Sequence, residues 1–68
     1  MTYKEAEKSL HVGDYVYLKG AYCNTETYAI LRIDNECKGK KPVLKLTLRN
    51  MYGDVGVWLH TDVYRKAT

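Results

Sequence analysis

The sequence predicts a mostly β domain: a small, strongly bent, five-stranded antiparallel barrel, with a short helix ahead of the first strand and one helical turn before the last. Two observations carry this. Runs over residues 27–34, 43–50 and 55–60 alternate apolar and polar side chains with the period of a half-buried strand. They also share one register. Taking Asn35 to Pro42 as a loop, Ile33 meets Leu44, Leu31 meets Leu46 and Ala29 meets Leu48. A turn at Met51-Tyr52-Gly53-Asp54 then sets Leu48 against Val57 and Leu46 against Leu59. The expected core is therefore Leu31, Ile33, Leu44, Leu46, Leu48, Val57 and Leu59. The opposite face carries Tyr28, Ile30, Arg32, Lys45, Thr47, Arg49, Trp58 and His60. A slip of one residue would reverse every one of these assignments.

The elements follow in order. Thr2-Tyr3-Lys4-Glu5 has the spacing of a capping box, a hydroxyl followed three residues later by a carboxylate. Behind it, Tyr3, Ala6 and Leu10 fall on one side of a helix over residues 3–9. A helix this short must dock to persist in water. Val12-Gly13-Asp14 reads as a turn, and residues 15–19 as a strand with Val16 and Leu18 inward and Tyr15 and Tyr17 opposite. Residues 20–25 form a polar loop containing Tyr22 and Cys23. The second strand, residues 27–34, is rich in branched and aromatic side chains. Residues 35–41 make a basic, glycine-bearing loop with Cys37, Lys38, Lys40 and Lys41. The third strand, 43–50, alternates most cleanly, and Gly53-Asp54 turns the chain into the fourth, 55–60. Thr61-Asp62-Val63-Tyr64 reads as a tight helical turn with Thr61 or Asp62 bonding the backbone, and residues 65–67 as a last short strand.

The length of 68 residues makes one domain, with residues 1–11 as a helical arm and 12–67 as the barrel. So short a chain has a marginal core and little room for an enclosed substrate cavity. Seven tyrosines and one tryptophan, with no phenylalanine, suit half-wet positions where the ring is buried and the polar end reaches water. Net charge is +3, and it is concentrated in the C-terminal half, which favours an anionic partner there. No apolar run suggests a membrane span or signal peptide, and the start reads as cytoplasmic. Cys23 and Cys37 fit that compartment as free thiols.

Four strands, a helical turn and a short fifth strand form the element order of small SH3-like barrels. Val12-Gly13-Asp14-Tyr15-Val16-Tyr17-Leu18 resembles the opening strand of Tudor-like and KOW-like modules. Val57-Trp58-Leu59-His60 followed by Asp62-Val63 is similar to their closing strand and helical turn. The resemblance is one of fold over residues 12–67, and fold alone does not license a function.

Little in the residues points to catalysis. Ser9 stands alone, His11 and His60 are unpaired, and no glycine-flanked nucleophile or phosphate-cradling loop occurs. His60 and Asp62 have the chemistry to polarise a water, but such neighbours at a strand end usually face solvent. We expect no enzyme and no cofactor. Cys23, Cys37, His11 and His60 match a zinc site in number but not in paired spacing, so a metal is not expected either. A Cys23–Cys37 disulfide would have to span the second strand, about 25 Å, beyond bridging reach.

The face opposite the aliphatic layer is the main candidate. Arg32 lies across from Lys45 in the expected register, a like-charge confrontation that an anion would relieve. Tyr28 lies across from Arg49, Trp58 beyond Thr47 and Ile30, and Lys38, Lys40 and Lys41 extend the charge. Rings interleaved with cations suit a single-stranded nucleic acid, whose bases stack while its phosphates meet the positive groups. Two further readings stay open for this face: cover by the N-terminal helix, and a subunit interface of a homo-oligomer. From a different class, the chain reads as a small accessory protein, of the kind phages and mobile elements encode, that modulates a host protein. Tyr15, Tyr17 and Tyr22 would then be its contact residues.

Overall fold

In the computed structural model, which describes residues 1–19, 26–38 and 41–67, with the side chains of Cys37 and Lys38 outside that description, Thr2 and Glu5 close the capping box that their spacing predicts. The Thr2 hydroxyl accepts the Glu5 N–H at 3.3 Å, and the Glu5 carboxylate accepts the Thr2 N–H at 3.3 Å. Helix α1 (Tyr3–Ser9) follows. Its Ala6 and the adjoining Leu10 are buried, so the helix docks on the sheet. The Lys66 ammonium fastens its far end, donating to the Ser9 carbonyl at 3.1 Å and meeting Asp14 at 3.2 Å. The His11 N–H bonded to Asp14, with Lys66 beside it, holds the Asp14 carboxyl below its ordinary range.

Five antiparallel strands form one sheet: β1 (Tyr15–Leu18), β2 (Tyr28–Lys38), β3 (Lys41–Arg49), β4 (Val55–Leu59) and β5 (Val63–Lys66), in the spatial order β4-β3-β2-β1-β5. The turn before the last strand is a 3-10 helix, His60–Asp62. The sheet is not closed: β4 and β5 stand at its two edges and do not pair with each other among the described residues. The expected loop around Asn35 to Pro42 is largely strand, because the β2–β3 ladder runs on to Lys38 and Lys41.

On the inner face lie Val16, Leu18, Ile30, Leu44, Leu46, Leu48 and Val63, capped by Ala6 and Leu10. Tyr3, Tyr28, Ile33 and Trp58 pack around them, partly buried. The inward faces of β1 and β3 are those the alternation predicts. The expected pairings on either side of β3 are corrected. Ile33 lies opposite Leu46 and Ile30 opposite Leu48, and the register shifts between Ile30 and Arg32. Leu31 is the extra residue of that bulge, and a bulge lets two residues oppose one without losing the ladder. Ile30 and Ile33 can then both point inward, while Leu31 is 41% exposed.

The β3–β4 pairing is corrected by one residue, with Leu46 opposite Trp58 and Leu48 opposite Gly56. Val57 and Leu59 therefore face outward, and Trp58 takes the inner position assigned to them. Leu31→Ala should accordingly shift stability by no more than about 0.5 kcal/mol, whereas Ile30→Ala should cost about 2–5 kcal/mol. Urea unfolding of the two variants measures the difference, and a costly Leu31→Ala would contradict the bulge.

At the β4 edge the hydrogen-bond parity can be read from the turn. The Asn50 N–H donates to the Asp54 carbonyl at 2.9 Å. Alternation along an antiparallel pair then aims the Gly56 and Trp58 peptide groups at β3 and those of Val55, Val57 and Leu59 at the free edge. The Leu59 N–H is taken by the Asp62 carboxylate at 3.0 Å, which is the capping role foreseen for that turn.

Candidate nucleic-acid interface

The structure divides the expected aromatic and basic face between the two sides of the sheet. Tyr28 and Trp58 lie on the inner side, edge to face with ring centroids 5.6 Å apart. Trp58 packs over Gly56, where a side chain would collide with the indole. Of the expected cations on the outer side, Arg32 pairs with Asp34 at 3.0 Å and Lys45 with Glu36 at 3.3 Å. Because of the bulge, Arg32 lies opposite Thr47 and not opposite Lys45, so the expected like-charge confrontation does not arise. Lys41 is exposed at the β2–β3 hairpin. Lys40, Tyr22 and Cys23 lie outside the described residues, as do the side chains of Lys38 and Cys37.

Arg49 differs from Arg32 and Lys45. It is exposed and makes no ion pair among the described residues. One cross-strand row on the outer face runs Tyr15, Ala29, Arg49, Val55. The methyl group of Ala29 leaves a gap between a phenol ring and a guanidinium. The β3–β4 turn closes one end of that gap. Within the turn the Asn50 side-chain oxygen accepts the N–H groups of Tyr52 at 2.9 Å and Asp54 at 2.8 Å. Gly53 supplies the positive φ of 92° that the turn needs. The result is an open cleft of about 470 Å³, lined by Tyr15, Thr27, Ala29, Arg49, Asn50, Met51, Tyr52 and Gly53. Tyr15 is 52% and Tyr52 75% exposed, and no carboxylate lines the cleft among the described residues.

Tyr17 leaves the same face of β1 as Tyr15, two residues on. The Arg65 guanidinium lies over its ring at 4.5 Å, a cation–π contact. Rings and cations thus interleave on the outer face through Tyr15, Tyr17, Tyr52, Arg49 and Arg65. Arg49 belongs to the expected nucleic-acid set, and Tyr15 and Tyr17 to the expected protein-contact set. Tyr52 and Arg65 belong to neither. The sequence signal for Tyr52 is an apolar Met51-Tyr52 pair at a hairpin tip, where polar residues are the rule.

The histidines and acids weighed for catalysis have structural partners. His60 is buried, with Nδ1 accepting the Leu44 N–H at 3.2 Å and its ring edge-on to Tyr3 at 5.8 Å. His11 is exposed beside Asp14. Among the described residues no group of three or more histidine, cysteine, aspartate or glutamate side chains is placed to hold a metal ion. No helix among the described residues is long and apolar enough to cross a membrane. Comparison with protein-family models, curated proteins and solved structures finds no match to this chain.

Proposed function

We propose that this chain is a non-catalytic binding module of SH3-like architecture that engages nucleic acid through the outer face of its sheet. The order of elements along the chain, with the 3-10 turn ahead of β5, supports the architecture, since it is the element order on which the resemblance rests. One observation carries the ligand class: a guanidinium with no ion pair among the described residues, Arg49, faces an exposed ring, Tyr15, across the small Ala29, with a second exposed ring, Tyr52, at the end of the cleft. A base and its phosphate require that combination of stacking surface and positive charge. With Arg32, Lys45 and Lys66 each paired to a carboxylate, few phosphates are neutralised, so binding is modest and only moderately dependent on salt.

Arg49→Gln keeps much of the side-chain length and removes the charge at an exposed position. It should leave the fold intact, weaken binding to a thymidine octanucleotide, and flatten the salt dependence by about 0.7 log unit for each phosphate that Arg49 neutralises. Fluorescence anisotropy across a salt series measures both. An unaltered slope would remove Arg49 from the interface.

A second reading has its own support. Val55, Val57 and Leu59 are all exposed on the outer side of an edge strand. Such a patch suits a protein partner of the accessory-protein kind. Pull-down from the native cell with and without nuclease separates the two. Capture that survives nuclease, and is abolished in Val57→Glu but not in Arg49→Gln, would favour the protein partner.

A further inference from the structure

The pitch of β1 narrows the ligand further, and this step rests on the nucleic-acid reading. Tyr15 and Tyr17 project from one face of the strand two residues apart, so their anchors stand about 7 Å from each other. Bases within a duplex rise about 3.4 Å along each strand. The cleft lies on the β2 side of Tyr15 and Arg65 on the β5 side of Tyr17, so successive bases seated at these two tyrosines are separated by at least about twice the stacked rise, and both faces of each must be free of their neighbours. A duplex cannot meet that requirement without being taken apart, whereas an extended single strand meets it readily.

The two seats also differ in kind. Tyr15 borders the cleft, with Arg49 across Ala29 and Tyr52 at the end. Tyr17 is covered by the Arg65 guanidinium, whose plane offers a stacking surface of its own at an exposed position. We propose that β1 seats two successive, unstacked nucleotides of a single strand. One base lies in the cleft at Tyr15, with its phosphate on Arg49. The next stacks on the Arg65–Tyr17 pair. The site selects single strands by spacing, without reading base edges.

The test uses the full chain with labelled thymidine mono-, di- and octanucleotides, a duplex containing the same octanucleotide, and a polyglutamate peptide of matched charge. The dinucleotide should bind at least about ten-fold tighter than the mononucleotide, and the single strand at least about ten-fold tighter than the duplex. Tyr15→Ala and Tyr17→Ala should each weaken dinucleotide binding about ten-fold, within the usual range for loss of one stacked base. Tyr15→Phe should retain it. Emission of Trp58, on the inner face, reports whether each variant is folded. Equal binding of duplex and single strand, or a silent Tyr17→Ala, would overturn the two-seat spacing while leaving Arg49-dependent nucleic-acid binding in place. Polyglutamate binding as tightly as the octanucleotide, or failure of every oligonucleotide to bind, would overturn both.

Discussion

Leu46→Ala should destabilise the domain by about 2–5 kcal/mol, a large share of what a single domain of ordinary stability possesses. The side chain is completely buried at the middle of β3, opposite Ile33 on one side and Trp58 on the other. Its removal leaves a cavity that three packed strands cannot close by shifting, because each is held by its own ladder. Neighbouring Lys45 points to the outer face, where it meets Glu36. Lys45→Ala removes a half-exposed pair and should cost no more than about 1 kcal/mol. Urea denaturation of both variants, with the slope checked for constancy, supplies the comparison. Similar losses for the two would mean that β3 is not oriented as described.

Gly56→Ala should cost about 1–3 kcal/mol through overpacking, an unusual penalty for adding one methyl group to a half-exposed strand position. The backbone conformation of Gly56 is open to any residue, so strain at φ is not the reason. A Cβ there would stand 2.7 Å from Cη2 and 2.8 Å from Cζ3 of Trp58. The indole is rigid and already packed edge to face against Tyr28, so it yields only by tipping outward. The variant should thus show red-shifted tryptophan emission together with lower stability. Unchanged emission would show that the ring does not rest on Gly56.

Local signals are a good guide to where the elements lie and a poorer one to how they pair. The capping box and the inward Leu44, Leu46 and Leu48 follow from spacing alone, as does the split of β1 into Val16 and Leu18 against Tyr15 and Tyr17. The bulge does not. Ile30, Leu31 and Ile33 are similar in hydrophobicity, and the choice between them is made by packing against β3, which no local pattern records. Their adjacency, Ile30-Leu31, is the only trace of a place where two residues share one position. The fourth strand misleads for a different reason. Val55-Gly56-Val57-Trp58-Leu59 offers three aliphatic side chains on one face, yet a single indole lying over a glycine fills the inner space better than the three do. That reversal carries the site with it. Rings interleaved with cations occur on the outer side at Tyr15, Tyr17, Tyr52, Arg49 and Arg65, of which only Arg49 belongs to the expected nucleic-acid set. These residues come together because Ala29 is small and because Asn50 organises the turn that holds Tyr52, and both are facts of three-dimensional arrangement.

The Asp62 carboxylate that caps the last turn also sets a limit on aggregation. By taking the Leu59 N–H it leaves, among the described residues, only the two peptide units at Val55 and Val57 of β4 open to an incoming strand. The flanking valines would reward such docking as concentration rises. The open stretch is nonetheless far shorter than the roughly six residues from which a steric zipper is built. Self-association at this edge should therefore stop at weak, reversible pairing without propagating into fibrils, although the strand carries no lysine or proline to blunt it.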